Sequence, residues 1–161
     1  NASRTGEVIG GRRAEISENG IWTIPSTPMK AGKDHRVPLA QRSLELLQVA
    51  HSLDPDSEFL FSCKGRPLSN MAMAMLLRRM GHKETVHGFR SSFRDWVSEE
   101  TLHSPEVAEK ALAHAIPNKV EAAYRRGDLI EPRRRLIEDW AQYCFTGYRS
   151  NVVSFNAKRR A

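Results

Sequence analysis

Residues 87–124 read HGFRSSFRDWVSEETLHSPEVAEKALAHAIPNKVEAAY, and their reading decides the fold. Phe89, Phe93, Trp96 and Val97 recur at i, i+4, i+7 and i+8. That spacing predicts a helix over 87–100 with one buried aromatic stripe. At 100° per residue, His87 falls well off the stripe and Arg90 lies at its border. Two polar groups therefore emerge from the first turn of a helix that its aromatic face fixes. The free N–H groups of such an end also favour phosphate. Ser104-Pro105-Glu106 starts a second helix, over 105–113, with Val107, Ala108, Ala111 and Leu112 facing inward. His114 ends it. Ile116-Pro117-Asn118 is a break, and 118–124 forms a short helix in which Val120 and Tyr124 share a face. Taken singly these signals are ordinary. A histidine at a helix C-terminus is often only a charge-compatible cap, and a tyrosine on an apolar face is usually core.

The rest of the chain is read outward from that stretch. Residues 2–11, ASRTGEVIGG, predict a short helix with Arg4 and Glu7 on one face, ended by Gly10 and Gly11. Strands are expected at 15–18, 21–25 and 34–39, making a small three-stranded antiparallel sheet at one edge. Gly32 falls in the turn before the last strand, and Lys30 and Lys33 lie in that connection. Residues 40–53 are an amphipathic helix on Leu44, Leu47 and Ala50, with Leu46 alongside, stopped by Asp54-Pro55-Asp56. A short apolar run at 59–62 precedes the turn Lys64-Gly65-Arg66-Pro67. Ser69 or Asn70 then caps a helix over 71–80, whose Met71, Met75 and Met80 read as core filler. The last helix starts near Pro132, with a stripe of Leu136, Ile137, Trp140, Ala141 and Cys144. Arg133, Arg134 and Arg135 make a basic end near Arg125 and Arg126. The tail 147–161 has no helical stripe.

Bulk properties bound the answer. A length of 161 residues, 40% apolar and 27% charged, is that of one soluble globular domain. The net charge of +6 and pI near 9.7 suit a polyanionic partner, nucleic acid first. No apolar run approaches the roughly 18 residues of a membrane span, and no signal-peptide pattern opens the chain. Cys63 and Cys144 stand alone, which points to a reducing compartment. Neither they nor the six histidines cluster as metal ligands do, so no metal and no cofactor are expected. The first residue is Asn1 rather than Met, so a piece of a longer protein is expected.

HxxR at His87 and Arg90, then Leu112-Ala113-His114, then Tyr124 ten residues on, is one ordered set. Arg4-Thr5-Gly6-Glu7 and the Met29-Lys30 pair precede it. In that order the chain resembles the tyrosine recombinases, the phage-integrase family. The blocks HRVPL, HGFR, LAH and NKVEAAYxRxDL resemble prophage and genomic-island integrases most, and the likeness runs over about residues 3–145. Single blocks are weak signals; six in order are strong.

The resemblance implies a mechanism that elementary chemistry supports. A tyrosine is a poor nucleophile near neutrality, with about one molecule in a thousand ionised. A nearby imidazole can take its proton. Guanidiniums stay charged and bind oxyanions bidentately, which suits the charge gathered in the transition state. By resemblance, Arg4 and Arg90 clamp the scissile phosphate of double-stranded DNA and Glu7 supports the site. Lys30 protonates the leaving 5′ oxygen, with Lys33 as competitor. His87 assists proton transfer, His114 hydrogen-bonds a phosphate oxygen, and Tyr124 forms a 3′-phosphotyrosyl link.

The resemblance further implies a mostly helical α+β catalytic domain at 1–146, lacking its first helices, with a tail at 147–161. It implies a tetramer on attachment-site DNA, in the bacterial cytoplasm at the nucleoid, with no membrane partner. Gly11 and Arg13 depart from the family pattern, which usually has an apolar residue and a Trp there. Two other readings stand beside this one: a type IB topoisomerase-like strand transferase, and a DNA-binding remnant without catalysis.

Overall fold

The computed structural model describes residues 2–26, 34–114 and 127–146. The chain enters through a short helix, α1 (Thr5–Gly10), and a 3-10 turn at Arg13–Glu15. β1 (Ile21–Ile24) and β2 (His35–Pro38) follow as an antiparallel pair, with Ile21 opposite Pro38 and Ile24 opposite His35. Next come α2 (Gln41–Leu53) and the two-residue strands β3 (Ser62–Cys63) and β4 (Arg66–Pro67). α3 (Ala72–Arg79), α4 (Gly88–Glu100), α5 (Pro105–Ala111) and α6 (Ile130–Thr146) complete the order. The architecture is α+β and mostly helical.

The expected three-stranded sheet is replaced by two separate two-stranded ladders. Residues 15–18 contribute a single bridge, Ile16 to Trp22, and no strand. The reason is local. Arg13 donates from its guanidinium to the Asp54 and Pro55 carbonyls, at 2.6 and 2.7 Å, and from its backbone to the Glu58 carbonyl at 2.8 Å. Those bonds wind the chain tightly before it can extend. The second ladder is closed by Lys64 and Gly65, both at positive φ (54° and 72°), the twist a tight hairpin favours.

Two apolar clusters hold the elements. In the first, Phe93, Trp96 and Val97 of α4 meet Val107, Ala108, Ala111 and Leu112 at α5, with Leu136 and Ile137 of α6. Trp140 packs edge-on to Phe93, with ring centroids 5.4 Å apart. In the second, Trp22, Val37, Leu39 and Leu60 are buried, with Val8, Ile16, Leu44 and Leu47 packed around them. Gly11 borders this cluster. A Cβ there would lie 2.7 Å from Leu60 Cδ1 and 2.8 Å from the Trp22 ring. The absence of a side chain at this position leaves the room that Trp22 and Leu60 fill.

Several expectations are corrected. Phe89 is half exposed, so the α4 stripe narrows to Phe93, Trp96 and Val97, and Arg90 takes the buried slot in the first turn. Met71, Met75 and Met80 are exposed, because α3 buries no residue against either cluster. Met71 occupies the α3 N-cap with no side-chain cap, in place of Ser69 or Asn70. Cys144 is exposed. Arg133 is not part of a solvated basic end: it is 1% exposed, bonded to Asp128 Oδ1 at 2.8 Å and to the Arg36 carbonyl. The helix expected at 118–124 and the tail 147–161 lie outside the described residues. No helix among the described residues is long and apolar enough to cross a membrane.

Candidate active site

The site is built on the C-terminal end of α5. Ser104 caps the other end, its hydroxyl accepting the Val107 N–H, and Pro105 holds the first helical position. At the far end Ala113 adopts φ 52°, a left-handed conformation that glycine normally supplies. The His114 N–H then reaches back to the Glu109 carbonyl at 3.0 Å, and the Ala113 N–H to the Lys110 carbonyl at 3.2 Å. This double closure is a Schellman motif. It leaves the carbonyls of Ala111, Leu112 and Ala113 to be met from outside the helix.

Three side chains from three other segments meet them. The His35 ring, on β2, lies toward the Ala111 carbonyl. Arg90 Nη2, on α4, donates to the Leu112 carbonyl at 2.7 Å, and Arg90 Nη1 donates to the Ala2 carbonyl. Arg4 Nη2, at the start of α1, donates to the Ala113 carbonyl at 3.3 Å. Two guanidiniums thus rest on adjacent carbonyls, at the helix end whose dipole favours cations. Arg4 is further fixed by Glu7. One carboxylate oxygen accepts the Arg4 backbone N–H at 2.6 Å, and the other accepts Nη1 at 2.7 Å. An exposed pair like this adds little stability, but it sets where the guanidinium points.

His114 completes the group. Its Nε2 lies 3.5 Å from Arg90 Nη2, and its Nδ1 lies 2.6 Å from Glu109 Oε2. Burial, reinforced by the Arg4 charge, pulls the Arg90 guanidinium below its usual range, and Glu7 opposes this. Guanidinium starts so high that Arg90 stays charged near neutrality. His35 is pulled below its ordinary value by burial first and by the Arg133 charge next, against Glu7, the Ala111 carbonyl and Asp128. It is a neutral imidazole near neutrality.

Four of the expected residues, Arg4, Glu7, Arg90 and His114, therefore come together. His87 does not join them among the described residues: it is exposed at the N-cap of α4, and no described bond links its ring to the others. The start of α4 is also less open to an anion than expected. Thr85 accepts the Gly88 N–H, and the His87 carbonyl accepts that of Arg90. Lys30, Lys33 and Tyr124 lie outside the described residues. Sequence reading missed His35, whose place inside a strand reads as ordinary. It also missed Glu109, whose signal is its position five residues before His114, across a helix end. No cluster of three metal-ligating side chains occurs among the described residues. Two guanidiniums and an imidazole around one helix end are groups whose chemistry suits a tetrahedral oxyanion.

The chain is also similar to known proteins. The pattern of the phage integrase family matches residues 2–129. The chain is 34% identical to prophage integrase IntA of Escherichia coli K12 over 145 residues, covering 86% of the chain and 35% of that protein. It is 34% identical to prophage integrase IntZ of the same strain, covering 77% of the chain and 32% of the relative. It is 32% identical to the integrase of Shigella phage Sf6, covering 78% and 34%. The chain thus spans about a third of the length of these relatives. No solved structure matches it.

Proposed function

The chain belongs to the phage integrase family, and we propose that residues 1–146 form the catalytic domain of a site-specific DNA recombinase, followed by a tail at 147–161. Arg4 and Arg90 bind the non-bridging oxygens of the scissile phosphate. His114 adds a hydrogen bond through Nε2. Tyr124 attacks phosphorus, a bond forms between its phenolic oxygen and the phosphate, and the bond to the 5′ oxygen breaks. Lys30 gives that leaving oxygen its proton, and His87 assists removal of the phenolic one. The phosphotyrosyl link conserves the bond energy, so a 5′-hydroxyl from a partner strand can reverse the step. Partners are attachment-site double-stranded DNA and further copies of the protein in a tetramer, within the bacterial cytoplasm at the nucleoid.

The observation that carries this reading is the pair of guanidiniums on the Leu112 and Ala113 carbonyls, with the His114 ring against Arg90. The test incubates the complete gene product with nicked attachment-site DNA, which traps a covalent intermediate. A protein–DNA adduct that disappears in Tyr124→Phe is expected. An adduct that persists in that variant removes Tyr124 as nucleophile, and supercoil relaxation without strand exchange would favour the topoisomerase-like reading.

A further inference from the structure

Glu109 lies on α5, five residues before His114, and is used by nothing in the mechanism above. Its two oxygens are divided. Oε2 faces His114 Nδ1 at 2.6 Å, and Oε1 accepts Arg94 Nε at 2.9 Å. Arg94 stands one turn beyond Arg90 on α4, so the carboxylate ties the two site-bearing helices together. The backbone doubles the link, because the His114 N–H is held by the Glu109 carbonyl at 3.0 Å. Schellman closures commonly carry an apolar contact between these two positions. Here a carboxylate–imidazole pair stands there instead.

We propose that Glu109 is the positioning residue of the active site, fixing the tautomer and the aim of the His114 imidazole toward the scissile phosphate. A carboxylate at 2.6 Å from Nδ1 accepts a hydrogen bond, so Nδ1 carries the proton. In the neutral ring Nε2 is then the acceptor, consistent with Arg90 Nη2 lying 3.5 Å away. To donate to a phosphate oxygen, Nε2 must take up a second proton, giving an imidazolium. The Glu109 carboxylate balances that charge across the ring, as a carboxylate behind a catalytic histidine does elsewhere. Burial pushes Glu109 up, but the His114 and Arg94 hydrogen bonds outweigh it and leave the carboxyl below its ordinary range. It is therefore ionised near neutrality. Among the described residues, Arg90 and Glu109 meet the ring itself, Arg94 lies behind Glu109, and Arg4 rests on the neighbouring Ala113 carbonyl.

This rests on the recombinase reading, and its test separates the two. On nicked attachment-site DNA at saturation, Glu109→Gln should slow adduct formation about tenfold or more, the usual scale for losing an orienting carboxylate. The Kd for DNA should not change. In a His114→Ala background the same substitution should cause no further loss, because glutamine keeps an oxygen for Arg94 and what it removes acts through His114. An unchanged rate, or a second full loss in that background, overturns the proposal. Nitrogen NMR of the wild-type protein above pH 8 gives a readout that needs neither catalysis nor a variant. His114 protonated at Nδ1 supports the pairing, and His114 protonated at Nε2 overturns it. No adduct from the wild type, with the Nδ1 tautomer present, would defeat the recombinase reading and leave the pairing standing.

Discussion

Arg90 reaches two backbone carbonyls, those of Ala2 and Leu112, with one planar group at 8% exposure. A lysine ammonium is a point donor and cannot span both. Arg90→Lys should therefore cost about 1–3 kcal/mol of stability, the penalty for an unmet buried acceptor, and denaturant unfolding would measure it. A variant as stable as the wild type would show that the carbonyls find other partners. His35 sets a pH dependence whose sign is determined. Its folded value lies below the ordinary one, so the unfolded chain binds the proton first as pH falls. The stability this neutral ring supports is full above about pH 6.5 and is lost on acidification below it. His35→Gln should flatten the stability profile between about pH 7 and pH 5, and an unchanged slope would contradict the assignment. Ala113 pays for its left-handed backbone with no compensating side chain. Ala113→Gly should raise stability by about 1 kcal/mol while leaving the three carbonyl contacts intact, which thermal unfolding would report.

The helix end, rather than any one side chain, is the unit that assembles the site. α5 supplies the carbonyls, α4 supplies Arg90, α1 supplies Arg4 and β2 supplies His35. Other element ends are joined by the same logic. α2 begins at Ala40, which has no capping side chain, and the Gln41 N–H is taken by Glu138 of α6 at 3.0 Å. Glu138→Ala should cost about 1 kcal/mol. Gly11→Ala should cost about 1–3 kcal/mol, because the added methyl meets Leu60 and Trp22 in a filled cluster. These elements differ in how far the sequence announces them. The period of Phe93, Trp96 and Val97 and the cap at Ser104 are local signals, and the helices they predict are present. The pairing of Arg4 with Ala113, of His35 with Ala111 and of Arg133 with Arg36 spans tens of residues, and no local pattern encodes it. The Met residues of α3 misled for a related reason. An apolar face at helical spacing says that a face exists and does not say that anything in the described chain covers it. The 15–18 segment has strand-like residues, but Arg13 bonds it to the turn after α2 first.

At the scale of the molecule, the proposed activity needs the polyanion to be drawn in and one of its phosphates to be neutralised. The net charge of +6 serves the first. DNA affinity of the complete gene product should fall steeply with salt, in proportion to the phosphates contacted. A weak salt dependence, read by fluorescence anisotropy across an ionic-strength series, would separate binding from phosphate contact. The second need falls on the exposed guanidinium of Arg4 beside the buried one of Arg90. A methylphosphonate at the scissile position carries no charge for that guanidinium to neutralise. The decisive measurement is the rate of adduct formation by Arg4→Ala on ordinary and on methylphosphonate DNA, each relative to the wild type. On ordinary DNA the variant should lose about a hundredfold or more, and on the neutral linkage it should lose far less. Equal losses on both substrates would mean that Arg4 does not meet the phosphate charge, and the helix-end receptor described here would not be the active site.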